Sequence, residues 1–189
     1  MPNYANSQSQ IVFVQKESTF GIIPNSSGTA TVANSNACRI ISAALDSDTA
    51  LIPRPDKTSS LTELVGTRGR SQSGSNSVSM SLAGSGAAGT APDMGPFLEA
   101  SFGKAGTVVA STSVTYALED NSVATAPSLA IYNYRDPSTM EQQCAFGSIV
   151  KSTKFDFGSD VATVAFDVES VWTGAAPVSA LRIPRKKAA

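Results

Sequence analysis

The chain has 189 residues, enough for one domain with arms or at most two small domains, and its formal net charge is −1. Hydrophobic residues make up 41% of the chain and charged residues only 15%, which excludes disorder of the highly charged kind. The small net charge also excludes a global positive field that would attract nucleic acid. Serine, threonine, alanine, glycine and valine dominate, which favours short strands joined by small-residue loops.

The chain begins with a polar segment. Residues 1–10 are predicted to form an N-terminal arm, and a β domain is predicted over residues 11–175. The apolar run Ile11–Val14 predicts a buried strand, and the proline, asparagine, serine and glycine cluster after Gly21 predicts a turn. The chain has no run of about 18 apolar residues, so we expect no membrane span.

Segment 53–77 is the longest predicted loop. It is rich in proline, glycine and arginine and has only a weak apolar patch. Loops of this length are uncommon in compact domains and usually indicate function or disorder. Because ordering such a loop costs conformational entropy, we expect a partner to order it. Its candidate contact residues are Arg54, Lys57, Arg68 and Arg70.

A strand and a helix are predicted in the middle of the chain. Between Val78 and Leu82, apolar residues alternate with serines, which predicts a half-buried strand. After a glycine and alanine spacer, Pro96 suits the first position of a helix and Gly103 suits a helix end. A short amphipathic helix is therefore predicted over residues 96–103.

The remaining part of the domain is predicted to consist of strands. Two of them are expected over residues 108–118 and 129–134. A two-residue hairpin at Gly158-Ser159 is predicted to join strands over residues 146–157 and 160–172. The chain is thus predicted to be all-β, with one short α-helix and extended loop and terminal arms.

The last predicted strand has one apolar and one polar face. Val164, Phe166 and Val168 share the apolar face, whereas Asp167 and Glu169 lie on the opposite face. One face is therefore expected to meet a core, and the other to meet water or an aqueous channel.

The side chains of common catalytic and metal sites are scarce. The chain has no histidine, so the commonest general base and metal ligand is missing. Cys38 and Cys144 are far apart and are expected to be buried thiols of a protein assembled in the cytosol. The segment Gly84–Gly89 fits G-x-G-x-x-G, but Thr90-Ala91-Pro92 follows it instead of a helix, which favours a flexible loop over a dinucleotide site. We therefore predict no enzyme, and no catalytic, cofactor-binding or metal-binding residue.

Segment 176–189 is predicted to be a basic C-terminal arm. Four of the 14 basic residues lie in the last eight positions, which leaves ten bases against 15 acids elsewhere, a net charge of −5. Such an arm could bind nucleic acid, or it could be a solvated tail or dock on an acidic neighbouring subunit. The second interpretation is favoured because the basic run is short, contains a proline and lacks aromatic neighbours. Its basic residues are Arg182, Arg185, Lys186 and Lys187.

Three segments, in this order, resemble the tail tube proteins of long-tailed bacteriophages. Segment 17–24, ESTFGIIP, resembles their E-x-x-F-G-x-x-P opening. Segment 54–70, RPDKTSSLTELVGTRGR, resembles the segment after their first strands. Segment 82–104, LAGSGAAGTAPDMGPFLEASFGK, resembles their unit of polar strand, small-residue spacer, proline, short helix and F-G. Residues 105–172 match only as a β-rich remainder.

The resemblance implies a β-sandwich or barrel fold, similar to that of the secreted tube subunits of contractile injection systems. It implies that subunits form hexameric rings, that the rings stack into a tube, and that the tube conducts the genome into the host. The implied partners are copies of the chain itself, a tape measure protein, a tail terminator and tail tip or baseplate proteins. The implied location is the virion tail, after assembly in the host cytoplasm, and no cofactor is implied.

Two sets of residues are assigned on this basis. Asp167 and Glu169 are expected to line the lumen, because an acidic or neutral wall lets DNA slide without being gripped. The 53–77 loop and both termini are expected to make ring-to-ring contacts. The residues assigned to these contacts are Arg54, Lys57, Arg68, Arg70, Arg185, Lys186 and Lys187.

Two other hypotheses stay open. The chain could be another virion β-protein, such as a capsid decoration or tail-completion protein, and self-assembly into tubes would distinguish these cases. A carboxylate-dependent glycosidase is the third hypothesis, but it needs an aromatic cleft, and the chain has one tryptophan and four tyrosines.

Overall fold

The computed structural model describes residues 10–22, 34–47, 51–52, 67–68, 73–119, 126–135, 141–158 and 160–175. Its strands are β1 (Ile11–Lys16), β2 (Ala37–Cys38), β3 (Ser42–Leu45), β4 (Leu51–Ile52), β5 (Thr67–Arg68), β6 (Gly74–Ser81), β7 (Thr107–Val109), β8 (Ser113–Thr115), β9 (Leu129–Arg135), β10 (Glu141–Phe157) and β11 (Ala162–Ala175). Among the described residues there is one α-helix, α1 (Gly95–Phe102), and one 3-10 turn, Asn34–Asn36. The all-β prediction is confirmed.

One large antiparallel sheet dominates the fold. It contains seven strands in the order β2-β1-β9-β10-β11-β6-β3, and every neighbouring pair is antiparallel. Two small pairs, β4–β5 and β7–β8, lie outside it. The longest strands, β10 and β11, form a hairpin at the centre of the sheet, so the rest of the sheet is built on either side of this hairpin.

The sheet bends at Gly147. At this residue, the alternation of the β10 side chains between the two faces of the sheet is reversed. Phe146 stacks on Trp172 in one apolar cluster, but Ser148, only two residues later, meets Ser170 on the opposite face at an Oγ–Oγ distance of 2.8 Å. Gly147 has a φ of 60°, and the β9–β10 register shifts at this point. Positive φ is the region that favours glycine, so Gly147 allows the strand to turn over.

The bend divides the sheet into two halves that share a core. Half-sheet A contains β2, β1, β9 and segments 141–146 and 172–175 of the hairpin; half-sheet B contains segments 148–157 and 162–170 of the hairpin, β6 and β3. Val12 and Ile131 of half-sheet A belong to the same buried cluster as Met80 and Val164 of half-sheet B. The two halves therefore pack like the layers of a sandwich.

Glu17 fixes this bend through three hydrogen bonds. Its Oε1 accepts a hydrogen bond from the N–H of Gly147 at 2.8 Å. Its Oε2 accepts one from the Ser128 hydroxyl at 2.6 Å and one from the N–H of Gly21 at 2.9 Å. One carboxylate thus ties the turn after β1 to the start of β9 and to the bend in β10.

Helix α1 covers the core on the side of half-sheet B. The Phe97 ring stacks on Phe166 at a centroid distance of 4.9 Å, and both side chains are fully buried. Pro96 lies in the first turn, and Gly103 caps the C-terminus with a φ of 75° and an N–H that donates to Glu99 O at 3.0 Å. The helix begins and ends one residue earlier than predicted. No described helix has the length and apolar character needed to cross a membrane.

Three sequence-based predictions differ from the structure. The predicted 53–77 loop contains β5, and β6 begins at Gly74, because the small polar residues at its start are outward positions of a strand. The predicted 108–118 strand is the β7–β8 hairpin, with Ser111 at a φ of 56° in the turn. The alternation continues through this turn, so periodicity alone does not reveal it.

The third difference is at the tip of the long hairpin. Phe157 pairs with Ala162, so four residues, 158–161, connect β10 and β11 instead of the predicted two. Except for Gln10, both predicted arms, 1–10 and 176–189, lie outside the described residues.

Candidate functional site

The outward face of half-sheet B is a continuous polar surface, called here the polar face. On β6 it consists of serines that alternate with buried positions, and each serine pairs across the sheet with an outward residue of β11. The pairs are Ser75–Glu169, Ser77–Asp167, Ser79–Ala165 and Ser81–Thr163. Segment 151–156 of β10 completes the face with Lys151, Ser152, Lys154 and Asp156.

Asp167 and Glu169 are both exposed on this face, and each has a partner on β10. The Ser152 hydroxyl donates to Asp167 Oδ2 at 2.6 Å, and Lys151 Nζ lies 2.9 Å from Glu169 Oε2. The register of β10 shifts between Val150 and Ser152, which lets Lys151 and Ser152 point to the same side. The hydrogen bond with the Glu169 carboxylate, and then its charge, raise the pKa of Lys151 above its ordinary value.

The polar face is nearly neutral. It carries three carboxylates, Asp156, Asp167 and Glu169, against the two ammonium groups of Lys151 and Lys154, a formal net charge of −1. Serine hydroxyls fill much of the rest. Such a surface is well hydrated and has no cluster of cations that would hold phosphate groups.

Only one of the residues assigned to ring-to-ring contacts lies in the part of the chain that the structure describes. Arg68 lies in β5, where it pairs with Leu51. The other six, Arg54, Lys57, Arg70, Arg185, Lys186 and Lys187, lie outside the described residues.

The G-x-G-x-x-G segment forms a loop that is held by its own hydrogen bonds. The Ser85 hydroxyl donates to Ala87 O and to Thr90 O, both at 2.9 Å. Helix α1 begins six residues after Gly89, so its N-terminus does not adjoin the glycine loop as a dinucleotide site requires. In the part of the chain that the structure describes, no three Cys, Asp or Glu side chains form a group that could hold a metal ion.

Sequence reasoning missed two parts of this region. Ser75 and Ser77 were assigned to the loop before β6, although the alternation with Gly74 and Asn76 extends the polar face to them. The aromatic tip of the long hairpin was also missed, because Phe155 and Phe157 follow the same alternation as core residues. Only the exposed fractions of Phe155 and Phe157, 39% and 74%, distinguish these two residues from core phenylalanines.

Solved structures resemble the chain over nearly its whole length. No protein-family model and no curated protein matches the sequence. A chain of the sheath–tube complex of the extracellular contractile injection system PVC, in the extended state, is 9% identical, with a TM-score of 0.52 and coverage of 93% of each chain. A chain of the PVC sheath/tube terminator in the extended state is 11% identical, with a TM-score of 0.50 and coverage of 94% of this chain and 96% of that one.

A chain of the SPP1 tail tube is 10% identical, with a TM-score of 0.48 and coverage of 91% of this chain and 78% of that one. At identities of 9–11%, similarity of structure shows a shared fold and nothing about activity or partners. The bent antiparallel sheet with its packed helix matches the two PVC chains almost end to end, and the chain shares their fold.

Proposed function

We propose that the chain is a structural subunit of a phage-type tail tube, in which copies form rings of six that stack around a central channel. The observation that carries this proposal is the polar face: a four-stranded half-sheet buries one side in the core and presents hydroxyls and balanced charges on the other. A closed ring of such half-sheets has a hydrated, nearly neutral bore.

The strand edges of half-sheet B support ring closure. Within the described residues, β3 pairs only with β6, and the part of β10 after Ser148 pairs only with β11. The Gln10 side chain covers part of the β3 edge by donating to Ala43 O at 2.9 Å. Open edges promote pairing with another chain, and closure into a barrel removes them. Four antiparallel strands per copy keep the alternation of strand direction when copies are joined edge to edge.

In this proposal, Asp167 and Glu169 face the lumen, and DNA passes without specific binding. The near-neutral charge of the polar face supports this role, because DNA affinity depends on cations that neutralise phosphates. The basic residues of loop 53–77 and of the C-terminus would make the ring-to-ring contacts. The tape measure, tail terminator and tip or baseplate proteins would be the other partners, in a virion tail assembled in the host cytoplasm.

Electron microscopy of the purified protein tests the proposed function. Negative-stain images over a range of concentrations should show rings and tubes with an open bore. A monomer that stays unassembled at every concentration, with and without a tape measure partner, would overturn the proposal.

Chemical labelling tests which face lines the bore. Asp167→Cys should react with a bulky maleimide in free subunits and become protected in tubes. Lys104→Cys, an exposed position outside the polar face, is the matched control for general crowding. Equal protection at both positions, or none at Asp167→Cys, contradicts the lumen assignment.

A second candidate is a tube terminator, which caps a tube instead of building it. The likeness to the PVC tube-terminator structure favours this possibility. A terminator would form single rings that do not elongate, whereas a tube subunit would form tubes of varied length, so the same images distinguish the two functions.

A further inference from the structure

Strand β10 exposes two phenylalanines on the inward side of half-sheet B. Phe155 and Phe157 pair with Val164 and Ala162 of β11, and Val164 is fully buried in the core, so both rings lie on the side opposite the polar face. The rings stack with their centroids 6.5 Å apart, and their exposed fractions are 39% and 74%. The described residues leave most of the Phe157 ring uncovered. Exposed aromatic surface of this kind is typical of an interaction site.

A cavity lies at the other edge of half-sheet B, on the same side of the sheet. It has a volume of about 170 Å³ and is lined by Arg39, Met80, Ser81, Ala83, Asp93 and Met94. Met80, which pairs with Val164, and Met94 are buried in the core cluster, whereas Arg39 and Ala83 are exposed. The cavity therefore has an apolar floor and opens to the surface. An apolar cavity of about 150 Å³ can hold benzene, so this one has room for a phenylalanine ring.

The cavity lies where β3 stops short of the strand beside it. Strand β3 has four residues and pairs with β6 from Ser42 to Leu45, so Met80 and Ser81 of β6 have no partner in β3. The open edge of β10 is longer: over residues 149–157 it pairs only with β11 among the described residues. A β10 strand that pairs with the β3 of another copy must therefore extend beyond the end of β3.

Strand direction decides which end of β10 extends beyond β3. The pairs β10–β11, β11–β6 and β6–β3 are all antiparallel, so β3 runs opposite to β10 and begins at the end of the half-sheet where Phe157 lies. The end of β10 that extends beyond Ser42 is therefore the end with the two rings. Pairing across the sheet also links Phe155 through Val164 to Met80, so rings and cavity lie at the same level of the half-sheet.

Resting on the proposed ring of copies, we propose that the Phe155–Phe157 pair of each copy fills the cavity beside Met80 and Met94 in the next copy of the same ring. Methionine sulfur and a guanidinium group are both favourable neighbours of an aromatic ring. The guanidinium group of Arg39 is held at the cavity by Asp93, with Nε 2.8 Å from Oδ2. Each copy supplies one aromatic pair and one cavity, so the contact is head to tail and can close a ring.

This contact adds to strand pairing by fixing the register between copies. On its outward side, β3 has only the small residues Ser42 and Ala44, so strand pairing alone specifies the register weakly. A slip of one residue would turn the aromatic rings to the polar face, away from the cavity. The aromatic contact therefore selects one register.

Removing the exposed ring tests the contact. Phe157→Ala should raise the protein concentration at which half of the copies form rings by at least about tenfold, measured by sedimentation velocity. Leu118→Ala is the matched control, because Leu118 is also 74% exposed but lies outside the β10 edge and the cavity. The urea unfolding midpoint of the free subunit should stay unchanged in both variants, so a loss of rings does not reflect misfolding.

Filling the cavity tests the other side of the contact. Ala83→Trp places an indole in the cavity of its own copy and should raise the same concentration by at least about tenfold. Ala87→Trp is the control, because Ala87 is exposed and does not line this cavity. Equal ring formation by the two tryptophan variants would contradict the proposal.

Photocrosslinking locates the contact directly. Phe157→p-azidophenylalanine keeps an aromatic ring and, after irradiation of assembled rings, should attach to segment 80–94 of another copy. Rings mixed from ¹⁵N-labelled and unlabelled copies distinguish such products from crosslinks within one copy by mass spectrometry. Products only within one copy, or only at other segments, would overturn the proposal.

The outcome for the wild type separates this inference from the proposed function. If the wild type forms rings and Phe157→Ala forms them as readily as Leu118→Ala, the inference fails and the proposed function stands. If the wild type forms no rings at any concentration, both fail.

Discussion

The two halves of the sheet differ in what covers their outward faces. In half-sheet A, residues on both sides of the strands are buried: Val12 and Ile131 face the shared core, and Phe13 and Tyr132 form a second cluster on the opposite side. In half-sheet B, the inward side chains are buried and the outward ones are serines and charged residues. One continuous sheet is therefore a buried layer at one end and a surface layer at the other.

The local sequence reflects this difference. Strands β1 and β9 contain the runs IVFV and LAIY, whereas β6 contains SVSMS and alternates apolar with polar residues. Continuous apolar runs are typical of strands covered on both faces, and alternation is typical of strands covered on one. Burial of the outward face is therefore set separately in each half of the sheet. Four substitutions test this difference between the halves.

The largest effect is expected from an outward-facing charge in half-sheet A. Ala130→Asp places a carboxylate at a fully buried position and should destabilise the fold by more than about 4 kcal/mol. Ala165→Asp, at an outward position of half-sheet B beside Lys154, is the matched control and should cost less than about 1 kcal/mol. Soluble yield and urea unfolding of the subunit measure both. Similar losses at the two positions would contradict the comparison.

The carboxylate that fixes the bend between the halves should rank second. Glu17→Ala removes three hydrogen bonds and leaves two backbone N–H groups and the Ser128 hydroxyl without this acceptor. We expect a loss of about 2–3 kcal/mol in urea unfolding. Glu17→Gln keeps an acceptor oxygen and the side-chain volume, and it should lose less. An unchanged midpoint for Glu17→Ala would show that the bend does not depend on this residue.

The glycine at the bend should have a smaller effect. Gly147→Ala adds a Cβ only 3.1 Å from the Val171 side chain at a position with a φ of 60°, and should cost about 1–2 kcal/mol. Gly158→Ala, at the hairpin tip, where an added Cβ meets nothing closer than 3.9 Å, is the control and should change the melting temperature little. Equal thermal stability of the two variants would refute the role of Gly147.

The smallest effect is expected on the polar face. Asp167→Asn keeps the side-chain shape and an acceptor for the Ser152 hydroxyl, so the free energy of unfolding should change by less than about 0.5 kcal/mol. The same urea titration measures it. A loss above 1.5 kcal/mol would mean that this face stabilises the subunit itself instead of serving the assembly.

Much of the candidate site follows from residue order alone. The alternation in β11 placed Asp167 and Glu169 opposite Val164, Phe166 and Val168, and the structure shows the two acids exposed and the three apolar residues buried. Their partners could not be predicted, because pairing with Ser77 and Ser75 depends on a register between distant segments.

The sequence by itself determined the all-β class, the two faces of β11 and the helix capped by Gly103, because alternation, proline and glycine act within a few residues. Only the tertiary structure decided which faces become covered and where the chain turns over. Periodicity describes a strand's own two sides, whereas coverage depends on elements that are far away in sequence. The exchange of faces at Gly147 is the clearest case: nothing in the order of residues in β10 marks it, and the groups that meet this position are Glu17, in the turn after β1, and Val171 of β11.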